Sequence, residues 1–488
     1  MKTVLKRMWD RYRSFLVPGF FLIGLNACGS YAAGDNLGAT PGGAQDIGLA
    51  REIISQGSVP KVEDFTPEGL YSEHDLEIAN AAPCGKTLCL NTAAGLEFGL
   101  DDDKRDLFVQ LGMQSSISEQ SFQRKPLNLG IVIDTSGSMD GNLGGVKSAL
   151  HALVDHLKSD DRVAIIEFAS TANTIIESTL ISDKTKLHSA IDELETGGST
   201  SLEDGMRQGY AEIDDYVESK TLSRLMVFTD AMPNVGATDA QSFQSMVKAA
   251  AALDIGFTFF GFGTSFDASF VDKISHLRGG NYRFVGPDDV KPIFEDELDF
   301  LVTPLAYNLR VSTKPAEGTS LRTVYGVPGA EEHVNGDLLD VTTVFLSKRK
   351  GGIVLRLDGT NVETLVNGTM FDAGSMDLSY ETPEGVVESS SVPMTLPFLE
   401  PPMPTDSLYP NASMKRTVAV TNQYLVMKKV CGDFHAGSLD LVDAQTRIDK
   451  VIAELTAADM ELKDPNLQRE ITLMQKLASN LGLSGGSP

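Results

Sequence analysis

Between residues 126 and 302 the chain alternates short, continuously apolar runs with segments whose apolar residues recur every three or four positions. Leu129-Gly130-Ile131-Val132-Ile133, Val163 to Phe168, Leu225 to Phe228 and Phe257 to Phe262 read as strands buried on both faces. Val146, Leu150, Leu153 and Leu157 share one helical face, as do Leu187, Ile191 and Leu194, and Leu202, Met206 and Tyr210. Phe243 to Leu253, Phe270 to Leu277 and Val290 to Leu301 predict further helices, and Tyr282 to Val285 a further strand. This rhythm predicts an α/β fold: a doubly wound, mostly parallel sheet with helices on both faces.

The flanks follow a different period. Residues 60–125 carry short strand-like runs at Leu88 to Leu90, Ala94 to Leu100 and Leu107 to Met113. Residues 303–400 carry others at Leu305 to Val311, Leu338 to Phe345, Gly352 to Leu357 and Met376 to Tyr380. Two β-rich stretches either side of an α/β unit predict one β-sandwich into which that unit is set. The acidic run Asp101-Asp102-Asp103 reads as a solvated hairpin turn rather than a cation site. Residues 412–488 return to helical spacing. Val418 to Val430 offers one helix, and Ile448, Val451, Ile452 and Leu455 mark another. Asp464 followed by Pro465 opens a third, on which Leu467, Ile471, Met474 and Leu477 line up.

The N-terminus reads as a targeting segment. Lys2, Lys6, Arg7, Arg11 and Arg13 precede an apolar stretch of 11 residues, Phe15 to Leu25, too short to span a bilayer. Leu25-Asn26-Ala27-Cys28 resembles the bacterial lipoprotein cleavage box, so residues 1–27 are expected to be removed and Cys28 lipidated. The Gly-, Ala- and Ser-rich stretch that follows predicts a flexible tether over 28–59. Gly29, where Asp would hold a lipoprotein in the inner membrane of a Gram-negative cell, favours the outer membrane, facing periplasm or cell surface. No later run is long and apolar enough for a transmembrane helix, which argues against a channel or transporter.

Charge narrows the partners. With 41 Lys and Arg against 67 Asp and Glu, the 488 residues carry a net charge of −26, which repels a phosphate backbone and excludes nucleic acid as an expected partner. Hard divalent cations suit such a chain. Once Cys28 is set aside, Cys84 and Cys89 frame a short loop that can close as a disulfide in an oxidising compartment, leaving Cys431 unpaired. A metal site built on the pair ranks below, since no CxxC and no His cluster accompanies it. HExxH, GxSxG and Walker A signatures are absent, and the seven His are scattered at 74, 151, 156, 188, 276, 333 and 435. His151 and His156 are five apart, off a shared metal-binding face, and read as surface or half-buried residues. The expected class is therefore not an enzyme.

Oxygen donors, by contrast, gather where strands end. The strand through Ile133 runs into Asp134-Thr135-Ser136-Gly137-Ser138; Gly197-Gly198-Ser199-Thr200 precedes a helix; and the strand through Phe228 ends in Thr229-Asp230-Ala231-Met232-Pro233-Asn234. In an open α/β sheet, ligands bind at these carboxyl ends. With D-x-S-x-S, G-G-x-T and T-D-x-x-P-N in this order, residues 126–302 resemble von Willebrand factor type A domains with a complete metal-ion-dependent adhesion site. The flanks resemble bacterial lipoproteins in which this domain is set into a β-sandwich. The resemblance implies hydroxyl ligands from Ser136, Ser138 and Thr200, with Asp134 and Asp230 acting mostly through bound waters. It implies Mg²⁺ or Mn²⁺, ahead of Ca²⁺. Hydroxyl ligands leave such a cation under-neutralised, so an acidic side chain of a partner protein can complete its shell. Ala231 departs from the Gly that relatives often carry there. In switching relatives the last helix slides on ligand capture; here that helix is Val290 to Leu301. The expected function is a lipid-anchored, cation-dependent protein-binding module. The alternative is a scaffold subunit of an envelope complex that docks through its helical tail and holds the metal for structure only.

Overall fold

In the computed structural model, the described residues are 36–483, apart from 80, 82, 83, 231, 232, 329–337, 359–369 and 398–406. The expected signal segment and Cys28 lie outside them. In chain order the elements are β1 (Asn36–Pro41), β2 (Gly43–Ala44), α1 (Gly48–Ser55), α2 (Pro67–Ser72), β3 (Leu88–Phe98), β4 (Arg105–Ser118), β5 (Leu127–Asp134), α3 (Leu143–His156), β6 (Arg162–Phe168), β7 (Ala172–Leu180), α4 (Lys184–Asp192) and α5 (Leu202–Asp214). There follow β8 (Leu222–Thr229), α6 (Ala240–Ala251), β9 (Ile255–Gly261), α7 (Ala268–Ser275), β10 (Gly280–Phe284) and α8 (Leu298–Leu301). Then come β11 (Pro304–Pro315), β12 (Leu321–Tyr325), β13 (Leu338–Ser347), β14 (Gly352–Asp358), β15 (Met370–Glu381), β16 (Val387–Pro397), α9 (Ala412–His435), α10 (Leu441–Leu462) and α11 (Pro465–Asn480).

Among the described residues the strands make two sheets. The α/β sheet has the order β2-β10-β9-β8-β5-β6-β7. Its strands are parallel except β7, which pairs antiparallel with β6. The apolar runs read from the sequence are its central strands, and one apolar core fills each face. From β5 the chain moves outward to β6 on one side, and it later returns to place β8 on the other. The strand order therefore reverses between β5 and β8, and a crevice opens at their carboxyl ends. The last helix is not uniform: Pro292–Glu297 is π-helical before α8, and Phe294 lies 4.8 Å from the Phe260 ring. Its end is clamped by Arg124, which hydrogen-bonds both Asp299 and the buried Asp161.

The second sheet is antiparallel, with nine strands in the order β12-β14-β4-β1-β13-β11-β15-β16 and β3 paired to β4. It curls round one core that includes Leu96, Val109, Leu309, Val344 and Leu378. Through this curl the hydroxyl of Thr92 on β3 donates to the Pro393 carbonyl on β16. The two β-rich stretches expected from the sequence thus close on one another around the α/β unit. Three tail helices cover the other side of this sheet, sharing a core with α1 and α2.

Two expectations need correction. Residues 36–55 are not a tether: Leu37 and Ala39 are buried, β1 pairs with β4 and β13, and β2 extends the α/β sheet beside β10. The small residues permit close approach rather than flexibility. A Cβ on Gly38 would fall 2.1 Å from the Arg349 carbonyl oxygen. The Asp101–Asp103 turn is a hairpin, but not merely a solvated one. Arg356, almost wholly buried, holds Asp101 at 2.8 Å and also binds Asp102 and Asp106, while Arg447 of α10 reaches Asp103 at 3.2 Å. Cys84 and Cys89 are joined by a disulfide with Cα atoms 5.5 Å apart, and Cys431 is buried with a free thiol. Among the described residues no helix is long and apolar enough to cross a membrane.

The seam between the β3–β4 hairpin and the tail traps acidic groups. Glu97 accepts from Ser407 at 2.8 Å and from Tyr409, and Asn422 donates to Glu454 at 2.9 Å. Burial, with a smaller push from Glu97, raises Glu454 to about 8. A carboxyl group that holds its proton more tightly when folded imposes no penalty below the ordinary value near 4.5. The penalty grows as pH rises from there to about 8. Glu454→Gln is therefore expected to stabilise the protein most above pH 8, and to flatten the dependence of its chemical-denaturation midpoint on pH between those limits.

Candidate metal centre

Asp134 ends β5 and Asp230 follows β8 directly, so parallel pairing in register brings both to the crevice at the reversal point. Neither side chain reaches solvent. Asp134 accepts from its own loop, at 2.9 Å from the Ser136 N–H, and from the Thr229 hydroxyl at 2.6 Å. Burial, with a contribution from the charge of Asp230, raises Asp134 to about 6. Ser136 and Ser138 stand on one side of the loop with their hydroxyl oxygens 3.0 Å apart.

Backbone hydrogen bonds tie three loops into one wall. Gly137 N–H donates to the Gly198 carbonyl, and Gly197 N–H to the Thr135 carbonyl. Gly198 needs to be glycine: its φ is +80°, and a Cβ there would meet the Ser170 hydroxyl at 2.8 Å. Gly137 and Gly197 are not so constrained: neither has a positive φ and a Cβ has space at each. Thr200 is buried. Its N–H donates to the Asn234 side chain at 2.8 Å, and its carbonyl accepts from the N–H groups of Asn234 and Val235. The loops that carry the five expected donors thus meet at one crevice. The departure at Ala231 lies outside the described residues.

Asn234 and Ser170 are the parts that sequence reasoning passed over. Asn234 was visible as the end of T-D-x-x-P-N, but only the fold shows it locking the Thr200 loop to the Asp230 loop. Ser170 carries no motif; its hydroxyl accepts from the Ser199 N–H at 3.0 Å. His151 and His156 are half-buried, as expected. His74 is fully buried near Glu470, and His151 pairs with His188 across 2.6 Å.

The donor set suits a small hard cation. The two serine hydroxyls stand at hydrogen-bonding distance, 3.0 Å, and hydroxyl and carboxylate oxygens are the donors hard divalent cations take.

The family-model comparison falls on the segment that carries the crevice. Residues 128–291 match the family model of the von Willebrand factor type A domain. This segment is a von Willebrand factor type A domain. The chain is 25% identical over 312 residues to the uncharacterized protein YfbK of Escherichia coli, covering 61% of this chain and 54% of that one. It is 32% identical over 145 residues to the uncharacterized protein sll0103 of Synechocystis, covering 30% of this chain and 34% of that one. The chain thus spans about half, or less, of these relatives' lengths. A solved von Willebrand factor type A structure from Catenulispora acidiphila aligns over 80% of this chain and 91% of its own, with 14% identity and a TM-score of 0.49.

Within the von Willebrand factor type A domain, α5 sets the position of Thr200, and two glycines let it lie flat on the sheet. A Cβ on Gly205 would meet Phe168 at 2.6 Å, and one on Gly209 would meet Leu225 at 2.5 Å and Val132 at 2.6 Å. Gly209→Ala should cost about 1–3 kcal/mol by overpacking. Gly144→Ala, on the exposed side of α3 with open space around it, should be neutral or stabilising by ~0.5–1 kcal/mol. Chemical denaturation of the two variants checks the contrast.

Proposed function

We propose that the chain is a lipid-anchored, divalent-cation-dependent binding module, in which Ser136, Ser138 and Thr200 hold Mg²⁺ or Mn²⁺ directly and Asp134 and Asp230 hold it mostly through waters. The observation that supports this reading is the meeting of three loops at the reversal point of the sheet, with two buried aspartates, Asp134 and Asp230, and the paired hydroxyls of Ser136 and Ser138 on them. A cation there compensates the cost of burying two like charges. Because the direct ligands are neutral, the ion keeps enough charge to gain from an external carboxylate. The partner is therefore a protein offering an Asp or Glu side chain. Nucleic acid is opposed by the charge of −26.

The anchor is Cys28, at the end of the apolar run Phe15 to Leu25, and the location is the cell envelope, on the outer membrane if the cell is Gram-negative. A binding role is favoured over an enzymatic one because the donors at the crevice are hydroxyls and carboxylates with no histidine among them. The scaffold reading, with the tail as docking element, has less support. Helix α9 spends its surface inside the chain, with Val418, Val426, Met427 and Val430 buried against α1, α2 and the sheet.

Calorimetry with Mg²⁺ and Mn²⁺ tests the site. The soluble form should begin near residue 36, since a start at 60 would remove β1 and β2. One ion per chain is expected in the parent and none at this site in Asp134→Ala/Ser136→Ala. Equal binding in the two would overturn the assignment.

A further inference from the structure

A second group of metal-ligand side chains lies apart from the crevice. Helix α7 begins at the crevice, where Asp267 N–H donates to the Asp230 carbonyl. It ends at His276, roughly 12 Å further along at ~1.5 Å per residue. There Asp272 and His276, one turn apart, face Glu68 of α2, and one ligand atom from each lies within 4.8 Å of the others. The His276 Nε2 is 2.9 Å from Asp272 Oδ1.

Glu68 is 3% exposed and makes no ion pair among the described residues. One of its oxygens lies within 4.8 Å of the Asp272 carboxylate as well as of the His276 ring, and a cation relieves two carboxylates so placed. The surroundings are negative. Burial and the charge of Asp272 push Glu68 up to about 7. Burial, with Asp272, Glu68, Asp46 and Asp64, holds Tyr282 well above the usual phenol range. Burial lowers His276, but Asp272 and Glu68 outweigh it and raise the imidazole. The backbone is built closely round the group. Gly43, at φ +81°, leaves room for the His276 ring, which a Cβ would meet at 3.3 Å, and Gly69 seats α2 against the Asp46 carbonyl. Thr342 of β13 donates to the His276 carbonyl.

We propose that Glu68, Asp272 and His276 form a second metal site, selective for a borderline transition ion such as Zn²⁺, that fastens the N-terminal segment to the α/β domain. One imidazole nitrogen and two carboxylate oxygens are a zinc-type donor set, and Mg²⁺ prefers oxygen alone. The side chains of Asp272 and His276 are each 26% exposed, so a fourth position opens to water. On binding, the proton shared between His276 and Asp272 is released to solvent, and both become ligands. This site does not depend on the function proposed for the crevice.

The test is Zn²⁺ titration against a chromophoric chelator, using the full chain with and without Asp134→Ala/Ser136→Ala. One Zn²⁺ per chain should bind in both backgrounds. Glu68→Gln and His276→Gln should each weaken it at least about tenfold, the loss of one good ligand interaction. In chelator-treated buffer Glu68→Gln should unfold at or above the parent's temperature, since the substitution removes a buried like-charge pair, and this separates lost ligation from lost folding. No Zn²⁺ in the crevice variant, or unchanged affinity in both Glu68→Gln and His276→Gln, would overturn the proposal. Absent Mg²⁺ and Mn²⁺ binding at the crevice alongside intact Zn²⁺ binding would instead count against the crevice reading alone.

Discussion

Two aspartate side chains without solvent exposure, Asp134 and Asp230, sit at the ends of neighbouring parallel strands, and the architecture around the crevice answers that constraint. Burying a carboxylate is costly unless hydrogen bonds or a counter-charge compensate. For Asp134 the protein supplies the Ser136 N–H and the hydroxyls of Ser136 and Thr229, all neutral, and no arginine or lysine among the described residues. The same molecule meets buried aspartates differently elsewhere. Asp161 is forked by Arg124, and Asp106 is held by Arg356 and Arg322. At these two aspartates a guanidinium accompanies the buried carboxylate. At the crevice neutral hydroxyls accompany it instead, the difference on which the proposed cation site rests.

Holding three loops in register requires a rigid frame, and the frame is shared between the two sheets. The run from Asn36 to Ala44 contributes a strand to each, and Gly42 donates to Thr343 between them. Arg349 of the antiparallel sheet pairs with Glu297 at the end of the π-helical turn, and Arg278 lies 3.6 Å over the Tyr307 ring. The last helix of the von Willebrand factor type A domain is therefore bonded on one side to the segment that leads into β5, through Arg124, and on the other to the β13–β14 turn, through Arg349. The crevice and the sandwich are parts of one packed body rather than beads on a linker.

The central α/β fold was readable because its signal is local. Runs such as Ile131 to Ile133 and Leu225 to Phe228 are apolar on every residue, as strands buried on both faces must be. The expected donors were readable because each follows directly from a strand end or precedes a helix start. What escaped was non-local. The Gly-rich stretch 36–44 has the composition of a linker, and only its partners show that its glycines allow backbones to touch. β7 was missed because it is an edge strand with one face in water, so its apolar period is weak. Glu68 stands some 200 residues from Asp272 and His276 in the chain, and no spacing rule links them.

The central claim is that one hard cation is held by Ser136, Ser138 and Thr200, backed by Asp134 and Asp230. Anomalous diffraction from crystals grown with Mn²⁺ addresses it most directly. The account predicts a peak within about 2.0–2.3 Å of the three hydroxyl oxygens, with waters between the ion and the aspartates. A Mn²⁺ peak elsewhere with this crevice empty at saturating metal, or an ion ligated by neither serine, would contradict it.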